Sequence, residues 1–550
     1  MKFLFSIVGL SLVLSSVGLW WSFPDRGSEV PVIYWVTDRN PAREQQVALF
    51  HDWLIDESIG ETVVLASDQE VAAFHERLLP GELIEAIARS SPAARRLWGE
   101  DGLPGVPASL PIEVVVPAVV LRLDTGNRNT VKQRVQSVSG VAGDVMDLGA
   151  QDIPFFVQMG VLTDLTEAGT RMGFAPDRTW EAVVPAITED GRQYAFPCNV
   201  GVRMHWVNLD VFDIAGVSPP KAGWTFEEFE AIGKRVVEAA NEPGERQTVF
   251  FTTDVFVQTM HRSLGLSVFN ETLTASDLDD ERFVRVLRLK HAWVYEDHLL
   301  PSAAEQEAFD TQSGYGGANM QLFNRDRFAM LNLGRFGLIQ LRKFNDTRRE
   351  SGEPLLRLAV AEPPHGGFRN TKLGTRSATV YVDGRPDLAV YFPAFLASEP
   401  YNQQIVADAD ALPPNPRFTE LEAFIRPPDR PEEWGVHEPF ARAANTIAIA
   451  DVHSPFVTPS EVARHLKDAE DGLMTHRLTP EEAALQAAER IDQGIRQTLR
   501  ESAEARADHE RRVELQRQID ARLARGERVP ADWIDNVFYR RYYAEQGWLE

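Results

Sequence analysis

The sequence predicts an α/β protein built from two or three domains. Its 550 residues are more than one compact hydrophobic core normally accommodates. From Val32 onward, short apolar segments typical of strands alternate with amphipathic segments of helical period. Apolar residues make up 44% of the chain and charged residues 25%, which is typical of globular proteins. Together these observations favour an α/β fold.

The first 23 residues form an almost uninterrupted apolar run with one lysine near its start. Such a run is typical of an export signal. It is also long enough to span a bilayer if it is not cleaved, since about 20 apolar residues suffice. Trp20 and Trp21 would then lie at the membrane interface. We therefore expect residues 1–25 to be a signal peptide or a membrane anchor. The rest of the chain should lie in the periplasm or at the extracytoplasmic face of the membrane.

Three strands are predicted in the first third of the chain. The first is PVIYWV, at 31–36, and Trp35 stands near its end, at a strand–helix junction that water can reach. Asn40 is the expected N-cap of the helix that follows, with Pro41 at its first position. The second and third strands are expected in PIEVVVPAVV and GDVMDLGA.

Two later helices carry clear start signals. Thr225 and Glu228 have the spacing of a capping box, and Trp224 is placed to pack against Phe229 across the helix N-terminus. The segment TPEE, which begins at Thr479, predicts a second capping box. The segment RFVRVLRLKHAWVYE predicts a further amphipathic helix.

The C-terminal part of the chain changes in composition. The proline-rich segments ADALPPNPRF and IRPPDRPEEWG predict linkers. Residues 501–550 form an extension that begins with a charge-dense helix, which should end at Gly526 and Pro530. The extension finishes with many aromatic residues, which either pack against the body of the protein or dock onto a partner.

Composition and motifs argue against several functions. A formal net charge of −25 disfavours nucleic acid or an anionic membrane as the main partner. The single cysteine, Cys198, excludes a disulfide within the chain and is expected to be a buried apolar side chain. The sequence has no H-E-x-x-H, G-x-S-x-G or phosphate-loop motif. We therefore expect no cofactor, no metal and no enzymatic activity.

Five stretches occur in the order found in one known family and spread over about residues 31 to 415. They are YWVTDRNPAREQQVALFHDW, SGVAGDVMDLGAQDIPFFVQMGVLTDLTE, YAFPCNVGVRMHWVNLDVFDIAGVSPPKAGWTFEEFEAI, FAMLNLGRFGLIQLRKF and FLASEPYNQQIVADADALPPNP. In these stretches the chain resembles the extracellular solute-binding proteins of ABC transporters, family 1, which are sugar-binding and maltose-binding-protein-like. The segment LTPEEAALQAAERIDQGI resembles the helix that closes the family's fold. The extension has no counterpart in the resemblance.

The resemblance implies a two-lobed periplasmic-binding-protein fold of type II. Two α/β lobes would face each other across a cleft, and the chain would cross between them at hinge segments about three times. Lobe 1 would comprise residues 31–200 and 375–410, and lobe 2 residues 201–374 and 411–500. Ligands of open α/β sheets bind outside the carboxyl ends of the strands, which would place the ligand in the cleft.

The resemblance also implies which residues meet a ligand. Aromatic rings stack on the apolar face of a sugar, and planar polar groups bind its hydroxyls. The expected ligand-binding residues are Trp35, Asp38, Gln151, Asp152, Asn199, Arg203, Arg335, Phe336, Thr375, Arg376 and Ser377.

Other roles remain open for some of these residues. Phe336 is equally compatible with the core, Arg335 with an ion pair between the lobes, and Asp38 with a helix cap. Relatives often carry tryptophan at the position of Phe336 and a lipidated N-terminal cysteine, neither of which is present here.

The expected function is that of an extracytoplasmic binding protein. It would capture a sugar or oligosaccharide by hinge closure, act as a monomer and deliver its ligand to the permease subunits of an ABC importer. Two alternatives remain. The first is an exported carbohydrate-sensing or scaffold protein that docks a partner through the extension. The second is a carbohydrate-active enzyme on the same scaffold, which would need a close pair of carboxylates.

Overall fold

Strands and helices alternate along much of the chain, which confirms the predicted α/β class. In the computed structural model, the residues described are 28–98, 105, 109–126, 129–308 and 317–550. The predicted signal or anchor segment, residues 1–25, lies outside them. Within the part of the chain that is described, no helix combines the length and the apolar content that a membrane crossing requires.

The chain divides into two compact units. The first consists of Met1–Met146 and Asp383–Phe395, and the second of Asp147–Val382 and Leu396–Glu550. The chain therefore leaves the first unit after Met146 and returns to it once, at Asp383–Phe395. These limits differ from the lobe boundaries that the resemblance implied, and those boundaries stay a prediction.

The first unit is built around parallel strands. Strand Val32–Val36 pairs in parallel with Val120–Asp124 on one side and with the start of Val145–Gly149 on the other. The segment predicted as one second strand forms two, because Ile112–Pro117 instead pairs antiparallel with Gly60–Leu65. The helices of this unit are Ala42–Asp56, Asp68–His75, Gly81–Ser90, Pro92–Arg95, Thr130–Val138 and Pro386–Ala389, together with Tyr391–Ala397, which runs into the second unit.

Trp35 lies in the core of the first unit. In the strand register, Trp35 is opposite Leu123 on one side and opposite Val145 on the other. The centroid of its ring is 4.6 Å from that of Phe392, and none of its surface is exposed. A strand with parallel neighbours on both sides is normally covered on both faces. The expectation that Trp35 faces a ligand is therefore corrected, since its ring is enclosed by apolar neighbours.

Asp38 braces the junction between the first strand and the first helix. Its Oδ1 accepts a hydrogen bond of 2.8 Å from Arg43 Nε and one of 3.1 Å from the Asn40 amide. The helix begins at Ala42 with Pro41 as N-cap, one residue later than predicted. Asn40 Oδ1 still caps it by accepting from the Ala42 amide at 3.1 Å. Asp38 thus supports the helix start rather than facing a ligand.

The second unit contains two main groups of strands. A four-stranded sheet runs in the order Phe250–Thr252, Phe328–Leu333, Met204–Asn208 and Leu358–Ala361. A long antiparallel pair joins Ala195–Val202 to Thr371–Val380, and Ala448–Ile449 pairs in parallel with the latter. The short strands Thr188–Glu189 and Arg192–Gln193 form a separate antiparallel pair.

Helices cover these strands and build most of the rest of the second unit. The α-helices are Ile153–Gln158, Thr166–Met172, Val184–Ile187, Leu209–Ala215, Phe226–Ala240, Val257–Ser263, Glu281–Tyr295, Ala303–Ala308, Gly317–Phe323, Leu338–Ser351, Glu399–Asp408, Glu422–Ile425, Glu438–Thr446, Pro459–Met474, Pro480–Glu501, Ala503–Ala524 and Val537–Gln546. The short 3-10 helices are Pro176–Arg178, Glu181–Val183, Arg335–Gly337, Pro416–Glu420, Pro431–Glu433 and Ala531–Trp533.

The predicted helix starts are confirmed. Thr225 and Glu228 form the capping box of helix Phe226–Ala240, and Thr479 forms another at the start of Pro480–Glu501. The ring centroids of Trp224 and Phe229 are 5.6 Å apart, as the staple across the first helix start requires.

The C-terminal extension is helical and packs on the second unit. Its buried apolar residues share one cluster with Phe368 and Ile449 of the body, and their side chains are Ile519, Val529, Ile534, Phe538, Tyr539 and Tyr543. Asn536 fixes the extension, because its fully buried Nδ2 donates to Ser267 Oγ at 3.0 Å and to the carbonyls of Phe269 and Asn270 at 2.8 and 3.1 Å. Of the two expected uses of these aromatic residues, packing against the body is the one observed.

Arg335 is enclosed in the interior of the second unit. Its Nε donates to His437 Nδ1 at 3.0 Å, and its two terminal nitrogens donate to the carbonyls of Ala411 and Val406 at 2.7 and 3.1 Å. The guanidinium carbon also lies 4.6 Å from the ring centroid of Phe424. Because all three nitrogens are bonded and the side chain is 1% exposed, the expectation that Arg335 binds a ligand is corrected.

A carboxylate completes this buried network. Since His437 Nδ1 accepts a hydrogen bond, the neutral ring carries its proton on Nε2, which lies 3.2 Å from Glu433 Oε2. Burial lowers the pKa of His437 to about 4. Burial by itself would raise the pKa of Glu433, but hydrogen bonds from His437 and Arg342 outweigh it and lower that pKa to about 2.

We predict that Glu433→Gln lowers the free energy of unfolding by about 1–3 kcal/mol at pH 7. A carboxylate whose pKa is lower in the folded state stabilises the fold above its unfolded pKa, and this contribution is lost as the pH falls through the folded value. The difference between variant and wild type should therefore shrink from pH 4.5 to pH 2. Denaturant titrations at several pH values measure it, with the exposed Glu353→Gln as control. A difference that does not depend on pH would contradict the prediction.

We also predict that Asn536→Ala lowers the free energy of unfolding by about 2–4 kcal/mol. The change leaves buried carbonyls without a donor and removes the cap of helix Val537–Gln546, to which Asn536 Oδ1 contributes by accepting from the Phe538 amide at 3.0 Å. The matched control is Asn445→Ala, at an exposed helix position. Equal denaturation midpoints for the two variants would show that the extension is not held through Asn536.

Candidate functional site

The second unit contains an open cavity of about 880 Å³. This volume lies within the usual range of small-molecule sites, roughly 300–1,000 Å³. Its lining comes from the loop after strand Phe250–Thr252, helix Glu281–Tyr295, strand Thr371–Val380 and the segment 451–454. Polar and charged side chains in the lining include Gln151, Thr253, Asp254, Gln258, Lys290, Gln306, Asn319, Lys372, Asp451, His453, Ser454 and Glu470.

Lys290 joins two carboxylates at the wall of this cavity. Its Nζ lies 3.0 Å from Asp254 Oδ1 and also pairs with Glu470. The lysine is 7% exposed. Burial disfavours its charged form, but the attraction of the two carboxylates is stronger and raises the pKa of Lys290 above its ordinary value. Lys290 therefore stays charged, and both carboxylates act as its counterions.

A second ion pair lies on another side of the cavity. Lys372 Nζ is 3.2 Å from Asp451 Oδ2, and Gln258 Nε2 donates to Asp451 Oδ1 at 2.9 Å. Burial acts to raise the pKa of Asp451, but Lys372 and Arg262 lower it overall. Burial lowers the pKa of His453 to about 4, so this ring is neutral at pH 7. Its Nε2 is buried and has no hydrogen-bond partner among the described residues.

Apolar side chains form the remaining wall. Phe256 is half-buried beside Asp254, and helix Glu281–Tyr295 adds the aromatic Tyr295. Other apolar lining residues are Val257, Phe269, Phe283, Leu287, Val294 and Leu300. A site with one apolar face and several fixed polar groups can hold a ligand that has both kinds of surface.

Arg203, which was expected at the site, lies between two aromatic rings. Its guanidinium carbon is 5.6 Å from the ring centroid of Phe256 and 5.5 Å from that of Phe336. Phe336 is half-buried and Phe256 lines the cavity. The structure therefore brings together two of the expected residues, Arg203 and Phe336, next to a residue that the sequence reasoning did not identify.

Gln151 is the expected residue that lines the cavity directly. It is half-buried, and its Nε2 donates to Asp152 Oδ2 at 3.2 Å. Asp152 is buried and lies next to the start of helix Ile153–Gln158. In this arrangement Gln151 can present its amide to a ligand, while Asp152 orients that amide.

The expected residues of the long strand pair are mostly interior. Arg376 Nη1 donates to Asp147 Oδ2 at 2.5 Å, and the guanidinium is 8% exposed. Burial disfavours its charge, but Asp147 raises the pKa of Arg376 overall. Asn199 is opposite Arg376 in the strand register and is also buried. Ser377 is fully buried and donates to Thr375 Oγ1 at 3.1 Å.

These positions correct the expected ligand contacts of Arg376 and Ser377, because both side chains are used within the protein. Cys198 is buried as expected, and its Sγ donates to Asp147 Oδ1 at 3.3 Å. Thr375 is half-buried, and for this residue and for Asn199 a ligand contact stays a prediction.

Sequence reasoning missed most of the charged residues of the cavity. One signal was present for Lys290, which lies on the apolar face of its helix with Phe283, Leu287 and Val294, where a cation needs buried partners. A signal was also present for Asp254, because it follows a short apolar strand that has a parallel neighbour. For Asp451 and His453 the local sequence carries no comparable pattern.

The cavity is not arranged as a metal centre. Among the residues that the structure describes, no three histidine, cysteine, aspartate or glutamate side chains converge as a metal ion requires. The acidic groups of the cavity are paired with lysines instead.

Comparison of the sequence with known proteins gives one family and distant relatives. The model of the bacterial extracellular solute-binding proteins matches residues 114–336. A protein of Brucella abortus (strain 2308), described in its name only as a binding protein, is 21% identical over 322 residues. The match covers 57% of this chain and 73% of that protein.

Solved structures of solute-binding proteins have a similar fold. An ABC substrate-binding protein from Listeria monocytogenes in complex with cycloalternan is 19% identical, with a TM-score of 0.57, and the match covers 84% of this chain and 99% of that one. The maltose/maltodextrin-binding domain MalE from Bdellovibrio bacteriovorus, bound to maltotriose, is 15% identical, with a TM-score of 0.55, and the match covers 84% and 100%.

The GacH receptor of Streptomyces glaucescens shares the fold as well. It is 15% identical, with a TM-score of 0.57, and the match covers 85% of this chain and 99% of that one. At these identities the likeness concerns the fold. The predicted resemblance to the extracellular solute-binding proteins is therefore confirmed, in sequence over residues 114–336 and in fold over most of the chain.

Proposed function

We propose that the protein binds a sugar or oligosaccharide outside the cytoplasm and delivers it to an ABC importer. The observation that carries this proposal is the cavity of the second unit, which is lined by both fixed charged groups and aromatic side chains. A sugar ring offers an apolar face and a rim of hydroxyl groups, so it needs this combination of partners.

The polar groups of the cavity are held in place before a ligand arrives. Lys290 fixes Asp254, while Lys372 and Gln258 fix Asp451. Groups that are already oriented lose little conformational entropy on binding, so more of the interaction energy appears as affinity. The family match and the saccharides bound to similar structures, cycloalternan and maltotriose, support the same ligand class.

The proposed mechanism is capture without chemistry. Ligand contacts that form only in a closed conformation would favour closure about the hinge, and the closed protein would then dock on the permease. Hydrolysis of a glycoside needs one carboxyl group in its protonated form. Asp254 and Glu470, the carboxylates that converge in the cavity, instead share the charged Lys290.

We predict that a bound saccharide stabilises the protein and makes it more compact. A ligand at a hundredfold excess over its dissociation constant adds about 2.7 kcal/mol to the free energy of unfolding. Thermal denaturation with a panel of oligosaccharides measures the stabilisation, and small-angle scattering measures the radius of gyration. Free amino acids at the same concentrations are the control. No stabilisation by any saccharide would contradict the proposed ligand class.

We further predict that Lys290→Met lowers the free energy of unfolding by about 2 kcal/mol and weakens saccharide binding about tenfold or more. The variant leaves Asp254 and Glu470 without their shared counterion, and the stability loss is moderate because both carboxylates are about one third exposed. Denaturant titration and calorimetry give the two values.

The matched control for this variant is Lys467→Met. Lys467 also lines the cavity, but its side chain is 73% exposed and forms an ion pair with Asp471. If the two variants have equal stability and equal affinity, Lys290 does not organise the cavity.

A further inference from the structure

The side chain of Arg203 is held in position without a hydrogen-bonding partner. Its amide donates to the carbonyl of Lys372 at 3.2 Å, and its own carbonyl accepts from Thr371 Oγ1. The backbone is therefore fixed to the strand that carries Lys372, a residue of the cavity wall. Among the described residues, none forms a hydrogen bond or an ion pair with the guanidinium group of Arg203.

The environment of this guanidinium is costly for a lone charge. The guanidinium carbon lies 5.6 and 5.5 Å from the ring centroids of Phe256 and Phe336, and the side chain is half-buried. Burial lowers the pKa of Arg203, and the negative charge of Asp254 offsets this only in part. The Asp254 carboxylate is already bound to Lys290 at 3.0 Å. Even partial burial of a cation that has no bound anion carries a desolvation cost.

Two fully buried arginines of the same unit, in contrast, donate hydrogen bonds to protein acceptors. Arg335 uses all three nitrogens on protein acceptors. Arg262 donates to the carbonyls of Ile449 and Ala450 at 3.3 and 2.9 Å. Arg203 differs because no residue in the described part of the chain accepts a hydrogen bond from its guanidinium, although two aromatic rings lie beside it.

The N–H groups of this guanidinium are therefore available to a ligand. They form a fixed fork that matches the two oxygens of a carboxylate. A neutral hydroxyl could accept one of these hydrogen bonds, but it would leave the positive charge without compensation. An anionic group satisfies both the donors and the charge.

We propose that Arg203 binds an anionic group of the ligand and that the transported solute is an acidic saccharide carrying a carboxylate, such as a uronic acid oligomer. This inference rests on the proposed function, whose ligand class it narrows. The guanidinium lies between 5 and 6 Å from the ring centroids of Phe336 and of Phe256, which lines the cavity, and the ligand carboxylate binds to it from the cavity side.

The test compares matched saccharides by isothermal titration calorimetry with the full chain. The pairs are galacturonate oligomers with galactose oligomers of the same length, and glucuronate with glucose; glucose 6-phosphate distinguishes a phosphate from a carboxylate. In the wild type we expect the carboxylate member to bind about tenfold or more tightly than its neutral partner, a difference of about 1.4 kcal/mol. Its affinity should also fall as salt is added.

Two variants assign this preference to Arg203. Arg203→Gln keeps a planar polar group without the charge, and we expect it to weaken binding of the acidic member about tenfold more than binding of the neutral member. Arg203→Lys keeps the charge without the fork and should retain part of the preference. Arg285→Gln, at an exposed position, is the matched control and should change neither affinity.

The outcomes separate this inference from the function on which it rests. Equal binding of acidic and neutral saccharides by the wild type, or equal losses for both in Arg203→Gln, would overturn the acidic ligand and leave saccharide binding intact. Tighter binding of glucose 6-phosphate than of glucuronate would overturn the carboxylate. Binding of no saccharide at all would overturn the proposed function and this inference with it.

Discussion

The cavity depends on the ion pairs that the buried ammonium of Lys290 forms. It holds Asp254, after a strand of the four-stranded sheet, and Glu470, on helix Pro459–Met474, within reach of one charge. Without this cation two carboxylates would face each other across a partly dry space, and they would repel. An uncompensated charge costs more free energy in this partly buried space than on the surface. The contacts of Lys290 with Asp254 and Glu470 therefore fix the distance between the two segments that carry these carboxylates.

The C-terminal extension contacts the segment that leads into the cavity. Arg541 of the extension donates to the carbonyl of Ala448 at 3.0 Å, and Arg262 donates to that of Ala450 at 2.9 Å. Ala450 immediately precedes Asp451, which lines the cavity. The ring centroid of Phe538, in the extension, lies 5.9 Å from the Arg262 guanidinium carbon. The extension therefore supports one segment of the candidate site, and its aromatic residues are used in this packing.

The parts of the fold that local chemistry determines could be predicted from the sequence. The α/β class, the Thr225 and Thr479 helix starts and the helical extension follow from periodicity and capping, which are local properties. The prediction that Trp35 is accessible was wrong because the sequence of a strand end does not reveal whether other elements cover its side chains. The resemblance led us to expect Arg203 and Phe336 at the site, which stays a prediction. Their contact and the ion pairs of Lys290 and Asp451 depend on distant segments that no short pattern reveals.

The central claim is that the cavity of the second unit receives a saccharide through side chains that are already in position. A crystal structure of the protein with the saccharide that stabilises it most tests this directly. We expect the sugar to occupy the cavity, to stack on Phe256 and to form hydrogen bonds with polar groups that include Asp451. The ion pair of Lys290 and Asp254 should be unchanged. A sugar bound elsewhere on the chain, or a cavity filled by its own side chains, would contradict it.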